Sequence, residues 1–375
     1  MIKETIKLFH TGDFHLDSPF SGFGLRESDG LKKEHRLCFS KALKKAKDEG
    51  CDAVIIAGDL FDGGFVTPSA VRECFDTIKE AGLPVIVAPG NHDPYVRGGI
   101  YDRGDKPENL YVFSEPRLSR LDLDEVGLSV HGYAFISDRL ESSPINSERP
   151  ILNENNFNIL LAHGDLYSPI SKYAPISPAA LEASGLDYAA LGHVHKADPP
   201  FRFGRTTAAY CGFPEGRGFD EQGFGGALIV TLYKDGRTPL TDRIVLSERQ
   251  YLTEHLDVSG CDSRSAIASE ITRHIEQKGY GTETRLHLIL EGAVSPDCSA
   301  PAANSVESRL GLLRITDATS PVYDAELLEN DLSLRGALYR RLLPALSSAD
   351  EGERAVAAEA LRLGLAALEG KPLPG

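Results

Sequence analysis

Short apolar runs recur along the first two-thirds of the chain, and each stops at the same kind of residue. Ile6-Lys7-Leu8-Phe9 leads into His10-Thr11-Gly12-Asp13-Phe14-His15, and Ala53-Val54-Ile55-Ile56-Ala57 into Gly58-Asp59. Leu83-Pro84-Val85-Ile86-Val87-Ala88-Pro89 leads into Gly90-Asn91-His92-Asp93. Further on, Asn158-Ile159-Leu160-Leu161-Ala162 ends in His163-Gly164-Asp165, and Tyr188-Ala189-Ala190-Leu191 in Gly192-His193-Val194-His195. Runs of this length, rich in β-branched residues and closed by Gly or Pro, predict buried strands. Stretches with helical character, 31 to about 49 and 68 to about 80, separate the first three. The rhythm is βαβαβ, which predicts a parallel sheet with helices on its faces.

From 110 to 135 the pattern changes to short alternating segments, 118–123 and 128–133, which predict antiparallel strands of a second sheet. The polar stretch 143–156, with Pro144 and Pro150, reads as a loop. Ser177-Pro178 has the N-cap, N1 order that opens a helix, and strands follow through 201–210 and 226–233. Near Glu248 the character shifts. Residues 263–278 predict an amphipathic helix and 284–290 an alternating strand, so a small separate α/β unit is expected. The end of the chain is helical, with Leu334, Leu338 and Leu342 on one face and Leu361, Leu365 and Leu368 on another. Ser348-Ala349-Asp350-Glu351 has capping-box spacing for the final helix. The expected division is 1–247, 248–320 and 321–375.

Charge narrows the function. Forty basic against 55 acidic residues give a net charge of −15, which excludes a generic basic nucleic-acid binder. Any positive field toward nucleic acid must be local or supplied by a partner. No apolar run approaches the length of a membrane span, and Met1-Ile2-Lys3-Glu4-Thr5 passes directly into a strand-like run. A cytoplasmic protein without a signal peptide, making no membrane contact, is expected. The six cysteines are scattered without metal-type pairing, as reduced thiols would be.

Ligands at the carboxyl ends of strands in an open α/β sheet converge on one crevice. Asp13, His15, Asp59, Asn91, His163, His193 and His195 supply carboxylates, an amide and imidazoles, with no thiolate. Such a set suits two borderline dications such as manganese, iron or zinc. Two dications ~4 Å apart repel by on the order of 15–20 kcal/mol at an effective dielectric constant of ~20, so a carboxylate must stand between them. Asp59, on the second strand among the other ligands, is the best placed. With Asp13, Asp59 and one hydroxide the centre keeps about one positive charge, enough to hold a phosphodiester locally. His92 lies on the other side of the backbone from Asn91, free to face substrate as a proton donor or cation. Asp62 or Asp93 would orient it. His10 and His131 fall inside strand patterns and are expected to pack.

Asp13-Phe14-His15, Gly58-Asp59-Leu60-Phe61-Asp62, Gly90-Asn91-His92-Asp93, His163 and Gly192-His193-Val194-His195 together resemble the motif series of calcineurin-like metallophosphoesterases. More narrowly, His15-Leu16-Asp17-Ser18-Pro19-Phe20, Gly192-His193-Val194-His195-Lys196 and Gly212-Phe213-Pro214-Glu215-Gly216-Arg217 resemble the SbcD-like DNA repair exonucleases, closest to the YhaO group. The resemblance implies a four-layer α/β/β/α sandwich followed by a small capping domain and C-terminal helices. It implies one metal ion held by Asp13, His15, Asp59 and His195, and a second by Asp59, Asn91, His163 and His193, with manganese as the metal. It implies in-line attack of hydroxide on phosphorus, DNA as substrate, and an SMC-like coiled-coil ATPase as partner. A homodimer stays open. Two other readings remain: a phosphatase or small-molecule phosphodiesterase on the same centre, and a non-catalytic subunit that holds DNA ends. Cys211 stands where that family usually has proline between Tyr210 and Gly212, a departure that touches loop shape and not ligation. The C-terminal leucine faces either dock a partner or pack on the cap.

Overall fold

The computed structural model describes residues 3–21, 24–295 and 298–368. The first two residues of the predicted N-terminus and the last seven of the predicted C-terminal segment lie outside them. The chain forms two compact units, Met1–Tyr251 and Leu252–Gly375. Among the described residues no helix is long and apolar enough to cross a membrane.

The first unit begins β1 (Thr5–Thr11), α1 (Leu25–Asp48), β2 (Ala53–Ile56), α2 (Pro68–Ala81), β3 (Val85–Val87) and β4 (Leu110–Val112). It continues with β5 (Ser119–Leu123), β6 (Leu128–Gly132), β7 (Phe157–His163), α3 (Pro178–Ser184) and β8 (Tyr188–Gly192). After β9 (Phe201–Phe203), β10 (Thr206–Tyr210) and β11 (Gly223–Tyr233), the long β12 (Leu240–Asp257) runs out of the unit. Its first sheet has the order β12-β11-β1-β2-β3-β4, with β1 to β4 parallel. The second has the order β5-β6-β7-β8-β10-β9. Strands β5 and β6 are the predicted antiparallel pair, while β6, β7, β8 and β10 run parallel.

The side-chain alternation explains the layers. Phe9, Val54 and Val85 face one way, against Phe39 and Leu43 of α1 and Phe75 and Ile78 of α2. Their neighbours Leu8, Ala53, Ile55 and Ile86 face the other way, against Val130, Ile159 and Tyr188 of the second sheet. The far side of that sheet, with Leu160, Ala189 and Leu191, is covered by Ala180 and Leu181 of α3. Helices, sheet, sheet, helix: this is the α/β/β/α sandwich. Because β1, β2 and β3 run parallel, as do β7 and β8, their carboxyl ends bring their loops to one end of the sandwich. His10 and His131 are buried as strand residues. His10 bonds the Tyr188 hydroxyl and Leu191 carbonyl, and His131 stands 3.4 Å from Asn158.

Three local expectations change. Helix α1 starts at Leu25 rather than near 31, since its polar first turns carry no apolar period and are held by the Ser28 hydroxyl on the Pro19 carbonyl. The polar loop after 143 contains a short 3₁₀ turn, Pro144–Asn146. The final helix, Glu351–Leu368, is capped by Asp350, whose carboxylate accepts the Glu353 N–H. Ser348 stands two residues further out and accepts the Asp350 N–H, the carboxylate being the stronger acceptor at a helix N-terminus.

In the second unit the end of β12 lies beside β13 (Thr284–Glu291). Helix α4 (Arg264–Lys278), capped by Ser263, buries Ile267, Ile271 and Ile275 against Leu256, Leu286, Leu288 and Leu290. Strands β14 (Ala293–Val294) and β16 (Ser320–Pro321) form a small ladder, and β15 (Leu312–Asp317) pairs with β13 in parallel. Helices α5 (Ala325–Asn330), α6 (Leu334–Leu346) and α7 (Glu351–Leu368) follow. The predicted leucine faces meet one another: Leu361 and Leu365 bury with Leu328 and Tyr339, flanked by Leu338 and Leu342. Leu334 and Leu368 stay exposed.

Candidate metal centre

At the strand ends the backbone turns out of the sheet at once. Asp13, His15, Asp59 and His193 have φ of 51°, 45°, 50° and 95°, in the left-handed region that L-residues avoid. Strain of about 1–3 kcal/mol per residue persists only where the surroundings over-determine the conformation. Here the Asp13 N–H bonds Gly58 O and the His15 N–H bonds Asp59 O, locking the first loop to the second. Two glycines are required by close approach. A Cβ on Gly90 would stand 2.2 Å from Asp59 Oδ1, and one on Gly192 1.9 Å from Ala57 O.

Seven predicted side chains come together. His15 Nε2 stands 3.3 Å from His195 Nε2 and 3.6 Å from Asp59 Oδ2. His195 Nε2 is 3.7 Å from Asp13 Oδ1. On the other side of the same Asp59 oxygen, His163 Nε2 lies at 3.4 Å, and Asn91 Oδ1 is 2.9 Å beyond it. The His193 ring is 5.1 Å from that of His163, and its backbone N–H bonds the Asp13 carboxylate. Two donor groups therefore flank Asp59.

The donor chemistry asks for cations. His163 Nδ1 lies 2.9 Å from the Ala57 carbonyl, which can only accept, so that nitrogen carries the hydrogen. Its Nε2 faces an amide oxygen and a carboxylate oxygen, three atoms whose lone pairs a metal ion can share. A positive ion among them reconciles the set. His15 Nδ1 is buried without a hydrogen-bond partner among the described residues. Burial, then Arg217 and the neighbouring histidines, holds His15 far below the ordinary imidazole range. Burial and His163 bring His193 to about 4. Both are thus neutral, the form that ligates metal. Burial pushes Asp13 up to about 6 against the pull of His195 and His163, the cost of an anion lacking its counter-charge.

The structure separates Asp62 from Asp93, which the sequence left equivalent. Asp62 Oδ1 is 3.3 Å from His92 Nδ1, and its other oxygen accepts from Ser18 Oγ at 2.7 Å. The Asp62 bond raises the His92 pKa against burial. Burial would raise Asp62 itself, but the bonds from His92 and Ser18 outweigh it and lower its pKa. The His92 side chain is 44% exposed and its ring lies 4.6 Å from that of His15, so it looks out over the centre. Asp93 turns inward, accepting the N–H groups of Asp59, Leu60, Phe61 and Gly90 and the Tyr101 hydroxyl. Burial and then the Asp59 charge push it up to about 7. Yet four of the five partners are backbone N–H groups that can only donate, which favours the carboxylate form. A cation beside Asp59 relieves the second pressure.

Sequence reasoning missed Glu221. It is 2% exposed, and its Oε1 stands 2.8 Å from His195 Nδ1, fixing the ring. Burial would raise its pKa, but His195 and Arg217 bring it to about 2. The signal was Arg217 four residues earlier in a glycine-rich loop, and neither residue stands directly at a strand end that would flag it.

A family model for calcineurin-like phosphoesterase matches residues 6–197. This chain belongs to that family. That family works through a dinuclear metal centre, and the clustered carboxylates and imidazoles described above are candidate ligands for one. Among curated relatives, it is 28% identical over 242 residues to the "Uncharacterized metallophosphoesterase YhaO" of Bacillus subtilis (strain 168), covering 60% of this chain and 57% of that one. It is 26% identical to the "DNA double-strand break repair protein Mre11" of Aeropyrum pernix, over 67% of this chain and 64% of the relative. It is 25% identical to an SbcCD nuclease subunit of Staphylococcus epidermidis, over 55% of this chain and 60% of the relative. In each case the match spans less than two-thirds of the relative's length.

Proposed function

We propose that this protein is a manganese-dependent phosphodiesterase that cuts DNA in the cytoplasm, as the nuclease subunit of a pair with an SMC-like coiled-coil ATPase. The observation that carries the reading is Asp59 standing between two donor groups, with His92 facing the open side. In this reading Asp13, His15, Asp59 and His195 hold one ion, and Asp59, Asn91, His163 and His193 the other. When bound, the two ions neutralise phosphate charge and make water nucleophilic. Asp62, itself held by Ser18, keeps the His92 ring turned toward the phosphate. Its Nδ1 bond to Asp62 leaves Nε2 to hydrogen-bond a phosphate oxygen or protonate the leaving sugar oxygen. The names of the Mre11 and SbcCD relatives favour DNA and a multi-subunit assembly. The charge of −15 opposes DNA binding by the chain alone, so in this reading a partner supplies the basic surface. Residues 248–320 would be the capping unit, and 321–375 the segment nearest to a docking role.

The test is to assay the purified chain with manganese on linear duplex, single-stranded DNA, a chromogenic diester and a chromogenic monoester. Cleavage of diester and DNA, lost in chelator and restored by manganese, is expected. Monoester turnover alone would make it a phosphatase. DNA binding without cleavage at any metal concentration would make it an end-holding subunit.

A further inference from the structure

Arg217 is not accounted for by metal binding or by His92. It lies in the loop between β10 and β11, which folds back over His195: the Phe213 N–H bonds the His195 carbonyl. Its Nε and Nη2 both donate to Glu221 Oε1, at 2.9 and 2.6 Å, and its backbone N–H donates to Glu221 Oε2 at 2.7 Å. That carboxylate also holds His195. One edge of the guanidinium, Nε with Nη2, is thus fixed, and Nη2 comes within 3.3 Å of His195 Nδ1. The third nitrogen, Nη1, has no hydrogen-bond partner among the described residues. The side chain is 22% exposed, so part of it reaches solvent.

Its surroundings say what Nη1 meets. The Arg217 charge acts on His15, His92, Asp13 and Asp62, all groups of the same centre. A fixed cation beside a centre built for two more cations is electrostatically adverse by itself. Glu221 cancels that charge, and the assigned centre keeps about one net positive charge of its own. The arrangement becomes favourable when an anion enters between them, and a planar fork with a free edge is the form that grips phosphate oxygens. We propose that Arg217 is a phosphate-binding residue of the substrate site, with Glu221 as the positioning residue that fixes both it and His195. The proposal rests on the phosphoesterase site as assigned above. The substrate class is an anionic phosphodiester whose non-bridging oxygen takes the free Nη1 edge. The bland alternative makes Arg217 only a counter-charge that keeps Glu221 in place.

Arg217→Gln and Arg217→Lys in the full chain separate the two. Manganese content by elemental analysis, unfolding temperature, affinity for orthophosphate by calorimetry, and KM and kcat on a chromogenic diester are measured together. Arg217→Gln should keep its manganese and lose phosphate affinity by about 10–100-fold, the scale of a hydrogen bond to a charged group. Its KM should rise with it. Arg217→Lys should recover part of the affinity, since charge returns without the fork. Unchanged phosphate affinity and KM in Arg217→Gln would overturn the proposal. Loss of manganese in both variants would also overturn it, by making the residue a support of His195. Should the unaltered protein bind no phosphate and hydrolyse no diester, the site assignment itself fails, and that result is distinct from either of these.

Discussion

Replacing Asp93 by asparagine strikes the support under two ligand loops at once, those of Asp59 and Asn91. Its Oδ1 accepts the N–H groups of Asp59 and Gly90 at 3.1 and 2.8 Å. Its Oδ2 accepts those of Leu60 and Phe61 at 2.8 and 3.2 Å, together with the Tyr101 hydroxyl. The residue is 1% exposed, so no water substitutes for a lost acceptor. Asparagine has nearly the same volume and leaves no cavity, but one oxygen becomes an N–H₂ group. Whichever way the amide turns, at least two of the five donors then face another donor. At about 1.5–3 kcal/mol for each bond to a charged acceptor, the loss is about 3–6 kcal/mol. That is a large share of the stability of an ordinary domain. At about 2–4 °C per kcal/mol for a unit of this size, Tm should fall by about 6–24 °C. Manganese content should fall for both ions together, because Asp59 and Asn91 shift with the backbone that Asp93 holds. Circular dichroism melting and elemental analysis on one preparation read both effects. A Tm within about 2 °C of the parent, with full manganese content, would refute the reasoning.

The other predictions address single groups. His92→Ala should keep its manganese yet lose about 10²–10⁴-fold in turnover; activity falling only in proportion to lost metal would make His92 structural. Asp59→Asn should weaken both ions, while His163→Ala should mainly weaken one, as elemental stoichiometry over a manganese titration would report. Equal, independent losses in the two variants would rule out a bridging Asp59. Glu215, buried near Glu34 and Glu248, has its pKa raised to about 7 from 4.5, burial being the main cause. A raised acid means the folded state keeps a proton that the unfolded chain has released, so stability falls as pH rises from about 4.5 through 7. Glu215→Gln should therefore match the parent near pH 4 and exceed it at pH 8 by up to about 3 kcal/mol in urea unfolding. A parallel pair of curves across that range would contradict the shift.

How far the sequence could be read follows from which signals are local. The strands carrying Asp13, Asp59, Asn91, His163 and His193 were legible because apolar alternation and the Gly or Pro stop lie within a few residues of each ligand. Parallel order then brings the ends together without further information. The first turns of α1 were hidden because residues 25–30 have no apolar period. The choice between Asp62 and Asp93 was hidden because it depends on a contact between loops, where the Gly63 N–H bonds the His92 carbonyl. Glu221 was hidden for the same reason: its partner His195 is 26 residues away, across β9 and β10. The C-terminal leucines were legible as apolar faces, but what those faces meet is decided by how α6 and α7 pack.

The most direct test of the central claim is anomalous diffraction at the manganese edge from crystals grown with manganese. Two peaks are predicted on either side of Asp59: one among Asp13, His15 and His195, the other among Asn91, His163 and His193. A single peak, or two peaks that do not share Asp59, would contradict the dinuclear centre as assigned.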